Sequence, residues 1–199
     1  ARGLNALGWE LISTGGTARA LRDGGLTVKD VSELTGFPEM LDGRVKTIHP
    51  RIAAGVLARR ALPEHMAALA EHGIPTIDMV VVNLYEFEKV AAKKDAPIAE
   101  LIENIDLGGP TMIRAAAKNY GDVAVVTSAA DYPALLAELN ANGGALSKKT
   151  HWDLARKAFA TTAKYDAAIT ARLASIEMAD DAFTDMPSAL PLVLNLHVP

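Results

Sequence analysis

Short apolar runs alternate with glycine- and proline-marked breaks along the chain, and their period switches between two and about 3.6. Residues 9–13 (Trp-Glu-Leu-Ile-Ser) predict a strand that ends at a glycine pair. Residues 16–22 predict a helix with Ala18 and Leu21 inward and Gly24-Gly25 as its stop. An alternating strand is expected at 26–31. Residues 35–52 carry Gly, Pro and charge without periodicity, which predicts a long loop of the kind that usually carries function. Residues 63–72 form an amphipathic helix with Pro63 in its first turn. Residues 79–83 (Met-Val-Val-Val-Asn) are the clearest strand, apolar on both faces like a covered parallel strand. Helices are expected at 98–105, 111–119, 131–139 and 151–178, with a buried strand at 123–127. The proline-marked tail 187–199 runs off the domain.

This alternation predicts an α/β fold, a doubly wound, mainly parallel sheet with a C-terminal helical extension. The expected division is a core over 1–145, a helical extension over 146–184 and a linker over 185–199. The small and apolar positions Ala155, Ala158, Phe159, Thr162 and Ala163 suit a packed seam, within the domain or across a dimer.

Composition narrows the function. The 199 residues are half apolar and 22% charged, as in an ordinary globular chain. A net charge of −4 gives no support to nucleic-acid binding, though a local basic pocket for a small anion remains compatible with it. With no cysteine, disulfide and thiolate chemistry are ruled out, and a reducing cytoplasm is compatible. No apolar run reaches the roughly 20 residues needed to span a bilayer, so no membrane partner is expected.

Two stretches carry candidate chemistry. The first is Ser13-Thr14-Gly15-Gly16-Thr17, between a strand and a helix. Glycines let the backbone approach an anion, successive N–H groups form a nest, and the helix start adds partial positive charge. The plainer reading is a glycine turn with a threonine cap. The second is Gly43-Arg44-Val45-Lys46-Thr47-Ile48-His49-Pro50. Arg44 offers a fork for phosphate and Lys46 an ammonium for a developing oxyanion. Thr47 offers a hydroxyl donor, and His49 a group that transfers protons near neutral pH. The plainer reading is a solvated basic loop. Asn83 and Tyr85 stand at the C-terminal end of the best strand, where ligands of open α/β folds bind. Asp106 precedes Gly108-Gly109-Pro110, either as a helix cap or as a carboxylate aimed into a cleft. Lys118 lies twelve residues on, where a helix C-terminus favours a cation. His65 and His72 are seven apart, a poor zinc spacing, and no metal site is expected.

Six segments together resemble one family. They are Leu-Ile-Ser-Thr-Gly-Gly-Thr-Ala at 11–18, Asp-Val-Ser-Glu-Leu-Thr-Gly-Phe-Pro-Glu-Met at 30–40 and the 43–50 loop. Asn-Leu-Tyr at 83–85, Ile-Asp-Leu-Gly-Gly at 105–109 and Arg-Ala-Ala-Ala-Lys-Asn at 114–119 complete the set. In this order, over residues 9–179, they resemble the IMP cyclohydrolase domain of the bifunctional protein that also carries AICAR transformylase. The resemblance implies a methylglyoxal-synthase-like fold and ring closure of the formamido ribonucleotide FAICAR to IMP, without cofactor or metal. It implies Lys46, Tyr85, Asp106 and Lys118 as catalytic residues. Ser13, Thr14, Gly15, Gly16, Thr17, Arg44, Thr47, Asn83, Gly108 and Gly109 would bind the nucleotide. A homodimer is expected for the full-length protein. Two departures stand out: the family's first strand, with its Ser-Val-Ser-Asp-Lys-Thr-Gly phosphate contacts, has no counterpart, and the transformylase half is absent. Methylglyoxal synthase and a nucleotide-sensing module of the same fold are the rival readings. The first uses a different loop, and the second has no use for Lys46, Asp106 and Lys118 together.

Overall fold

The computed structural model describes residues 1–93, 96–179 and 182–185. Helices α1 (Arg2–Ala6), α2 (Gly15–Asp23), α3 (Val31–Thr35), α4 (Pro50–Leu57) and α5 (Pro63–Glu71) occupy its first third, with strands β1 (Ile12–Ser13) and β2 (Lys29–Asp30) between them. Strand β3 (Met79–Val81) leads through α6 (Phe87–Ala91), α7 (Ile98–Glu103) and α8 (Gly108–Lys118) to β4 (Ala124–Val126). Then come α9 (Tyr132–Ala141), the 27-residue α10 (Lys148–Ala174), and an antiparallel pair, β5 (Ile176–Ala179) and β6 (Ala182–Asp185). β1 pairs with β2 and β3 with β4, both parallel. The fold is a doubly wound α/β arrangement of the expected class, with shorter strands than the apolar runs predicted.

Local chemistry explains where the boundaries moved. The strand expected at 26–31 stops at Asp30 because a helix begins there. The Glu33 carboxylate accepts the Asp30 N–H at 2.8 Å, a reach-back cap that turns Val31 into the first residue of α3. The long loop expected at 35–52 ends early, because His49-Pro50 is a helix start. The His49 Nδ1 accepts the Arg51 N–H at 3.1 Å, and Pro50 fills the first helical position, where its missing N–H costs nothing. Helix α8 begins at Gly108 rather than at residue 111. The tail 187–199 lies outside the described residues.

The main core lies between α4, α8, α10 and the β3–β4 pair, around Val56, Val80, Ile113, Ala116, Val123, Val125 and Ala158. All of β4 is buried. A second cluster under β1 and α3 holds Val31, Leu34 and Ile52. Ile77 and Met112 pack against both clusters and join them. The seam on α10 is made by Leu154, Ala155, Ala158, Thr162 and Tyr165, all buried within the domain, whereas Phe159 and Ala163 face outward.

Two polar clasps hold the layers. The Asn119 amide donates to the carbonyls of Val56 at 2.8 Å and Ala58 at 3.0 Å, which ties the end of α8 to the end of α4. Both carbonyls belong to a helix terminus that would otherwise lack partners. Arg60 pairs with Asp78 at 2.7 Å and donates to the Ile77 carbonyl at 3.1 Å, while its own N–H donates to Asp122 at 3.1 Å.

Glu138 on α9 reaches the start of α10. Its carboxylate accepts the Ser147 N–H and the Thr150 hydroxyl, each at 2.6 Å. The Thr150 hydroxyl and then the Ser147 N–H hold its pKa below the ordinary 4.5. A carboxyl depressed on folding contributes stability that is present above its unfolded pKa and lost as pH falls through the folded value. Wild-type protein should therefore lose stability between about pH 5 and pH 3 more steeply than Glu138→Gln, with the larger gap between them at neutral pH. Thermal melts across that range test this, and parallel curves would contradict it.

Candidate active site

A cleft of about 1480 Å³ runs between the two parallel pairs, lined by Ile12 and Ser13 on one side and Met79 to Val82 on the other. Its front is built from three loop-to-helix junctions.

At the first junction Thr14 is the residue before α2, and its side chain makes no capping bond. The N–H groups of the first turn, which lack partners inside any helix, are therefore not taken up by it. Gly15 has φ +51, and a methyl group added at Gly15 or Gly16 would meet nothing within 4 Å. The turn faces open space. Ser13, Thr14, Gly15, Gly16 and Thr17 all line the cleft.

At the second junction Met40 and Val45 form an antiparallel bridge around a tight turn. Leu41 and Asp42 both have φ +54 there, ahead of Gly43. A leucine in the left-handed region is disfavoured by roughly 1–2 kcal/mol, so the bridge holds a strained shape. The turn delivers Arg44, Lys46 and Thr47 to the cleft. Lys46 is half-buried and makes no ion pair among the described residues. Arg44 is largely exposed, and its Nε stands 3.3 Å from the Glu103 carboxylate. His49 does not line the cleft. It caps α4, and its ring stands 6.0 Å from that of Phe37.

The third junction is the start of α8. The Asp106 Oδ1 accepts the Gly109 N–H at 2.8 Å, which makes Asp106 both a cap and a cleft carboxylate. The two readings open from sequence are thus compatible. A methyl group at Gly108 would stand 2.7 Å from the Thr47 hydroxyl, and one at Gly109 would stand 2.5 Å from Asp106 Oδ2 and 2.8 Å from Leu84. Glycine at these two positions lets the cationic loop and the acid close on the helix start. Asn83 and Tyr85 line the same cleft, and Tyr85 is about half exposed.

Thirteen of the fourteen expected site residues thus share one cleft, and Lys118 does not. It is the last residue of α8, exposed to solvent. Helix α8 runs from Gly108 to Lys118, which puts Lys118 roughly 15 Å along the axis from the helix start. Asp106 caps the start of α8 and Lys118 ends it. Tyr165, which no sequence motif singles out, does reach the site. Its hydroxyl accepts the Asp106 N–H at 2.8 Å. A tyrosine on the buried stripe of a helix was the available signal.

Residues 1–111 match the MGS-like domain, and residues 116–196 match the AICARFT/IMPCHase bienzyme. The chain belongs to the MGS-like domain family. The two matches in tandem are consistent with the IMP cyclohydrolase domain of the bifunctional protein, and they give this MGS-like chain a role in purine biosynthesis. Among solved structures it is similar to the crystal structure of ForH, at 37% identity over 84% of this chain and 87% of that one, with a TM-score of 0.76. Among the described residues no helix is long and apolar enough to cross a membrane.

The close approach at α8 has a measurable consequence. Gly109→Ala should lower stability by about 1–3 kcal/mol through overpacking. Gly16→Ala, which points into open space, should change it by no more than about 0.5 kcal/mol. Urea denaturation of both variants tests this, and equal effects would contradict the packing described.

Proposed function

We propose that this MGS-like chain is an IMP cyclohydrolase, closing the second ring of FAICAR with loss of water. One observation carries the reading. A half-buried cation without an ion-pair partner among the described residues, Lys46, stands in the same cleft as the Asp106 carboxylate and a helix-start turn whose N–H groups take no side-chain cap. The match of residues 116–196 to the AICARFT/IMPCHase bienzyme supports it over methylglyoxal synthase. A sensing module needs the turn but neither Lys46 nor Asp106.

The reaction sets three demands. The carboxamide nitrogen must face the formyl carbon, charge building on the formyl oxygen must be met, and a proton must leave the nitrogen. Holding both groups on one bound molecule meets the first, since well-oriented intramolecular reactions reach effective molarities of order 10⁵ M or more. The turn at 13–17 would grip the 5′-phosphate and Arg44 would close on it. The Arg44–Glu103 pair is mostly exposed on both sides, and such pairs contribute only about 0–1 kcal/mol, so a phosphate dianion readily replaces the carboxylate. Lys46 and Thr47 would face the formyl oxygen. Asp106 would take the proton from the carboxamide side, and Tyr85 would orient water or the base. Asn83, Gly108 and Gly109 would line the ring. Lys118, expected beside Asp106 on the carboxamide side, does not line the cleft. A homodimer and the transformylase activity of a longer parent belong to the same proposal.

Cyclisation of FAICAR, followed by IMP absorbance with the intact protein, tests the reading. Lys46→Ala should lower kcat by about 10²–10³, the usual loss for one oxyanion donor. Near-normal turnover by that variant would remove Lys46 from the role. Thr17→Val and Arg44→Ala should raise KM with little effect on kcat, because they remove contacts made equally in ground and transition states. An unchanged KM in both would refute the phosphate assignment.

A further inference from the structure

Asp106 stands on residues 104–107, a connection between α7 and α8 without regular structure. It is nevertheless held from both sides. Its Oδ1 is fixed by the Gly109 N–H, and its own N–H donates to Tyr165 Oη at 2.8 Å. The same phenol donates to the Asn104 carbonyl at 3.3 Å. The Asn104 amide in turn donates to the Glu100 carbonyl at 2.8 Å, so the chain of bonds ends on α7. Asp106 Oδ2 accepts no hydrogen bond among the described residues and is the oxygen left for a ligand.

Tyr165 comes from 59 residues away, on the buried stripe of α10. Its ring is 8% exposed, packed with Leu101 and edge-on to Phe87 at 6.4 Å. Packing alone would accept phenylalanine there. The hydroxyl is what differs, and both its bonds go to backbone groups: the N–H of Asp106 itself and the carbonyl two residues before it. Burial raises the phenol pKa, which keeps the proton on Oη for donation at neutral pH.

We propose that Tyr165 is a positioning residue for ring closure: its hydroxyl bridges Asn104 and Asp106 and fixes the angle at which Oδ2 meets the substrate carboxamide. The inference rests on the cyclohydrolase reading. Misplacement of a reacting group by about 1 Å can cost around 10²-fold in rate.

Steady-state cyclisation of FAICAR by the intact protein tests it, with wild type, Tyr165→Phe, Asp106→Asn and the double variant. Tyr165→Phe keeps the ring and its packing, and a thermal melt checks that it folds. The expected result is a kcat lowered by about 10–100-fold with KM within about twofold. In the Asp106→Asn background the same change should cost little more, because Tyr165 acts through Asp106. Unchanged kcat in Tyr165→Phe, a loss confined to KM, or losses that multiply fully in the double variant would overturn the inference while leaving the cyclohydrolase reading standing. Absence of turnover in the wild type would overturn both.

Discussion

Asn119 spends both amide hydrogens on the carbonyls of Val56 and Ala58, and the position of the cationic loop follows from that clasp. The carbonyls end α4, and the beginning of α4 is His49-Pro50, where the loop carrying Arg44 and Lys46 arrives. The other end of α8 holds Asp106 through the Gly109 N–H. One helix, fixed at both termini, therefore sets the distance between cation and carboxylate. The bonds are buried, so breaking them would leave carbonyls unpaired away from water, which costs about 1–3 kcal/mol for each group. That cost makes the spacing rigid, and the spacing in turn keeps Lys46 and Asp106 in one cleft without an ion pair between them.

Preorganisation of this kind suits a reaction whose nucleophile and electrophile are already on one molecule. Such a reaction leaves little bond-making to a protein, which must mainly hold charges where they develop. The strained turn at Leu41 and Asp42, the glycine contacts at Gly108 and Gly109, and the Tyr165 bridge all serve fixed placement. The turn at 13–17 is different. Its glycines meet nothing, its threonine is not committed to a cap, and Arg44 is tied only by an exposed pair. That end of the cleft is loose and the Asp106 end is tight.

Much of the fold was legible because local patterns carried it. The apolar run at 79–83 became β3, the periodic segment at 63–72 became α5 from Pro63, and Gly24 ended α2. Errors arose where a side chain capped a helix inside a segment of ambiguous period. Glu33 started α3 within an expected strand, and His49 started α4 within an expected loop. A histidine used as a cap has no strong sequence signature, so its chemistry was read as proton transfer instead. Lys118 ends the helix whose start Asp106 caps, and it does not line the cleft.

The sequence by itself determined which residue types stand at each junction: the Ser-Thr-Gly-Gly-Thr turn, the Arg-Val-Lys-Thr loop, and the aspartate ahead of a glycine pair. These are local facts, set by backbone preferences over a few residues. Only the tertiary structure decided that the three junctions open on one cleft, that Asn119 serves as a clasp, and that Tyr165 reaches Asp106 across 59 residues. Periodicity says which face of an element is buried. It does not say against what, because that choice is made by packing between elements distant in the chain.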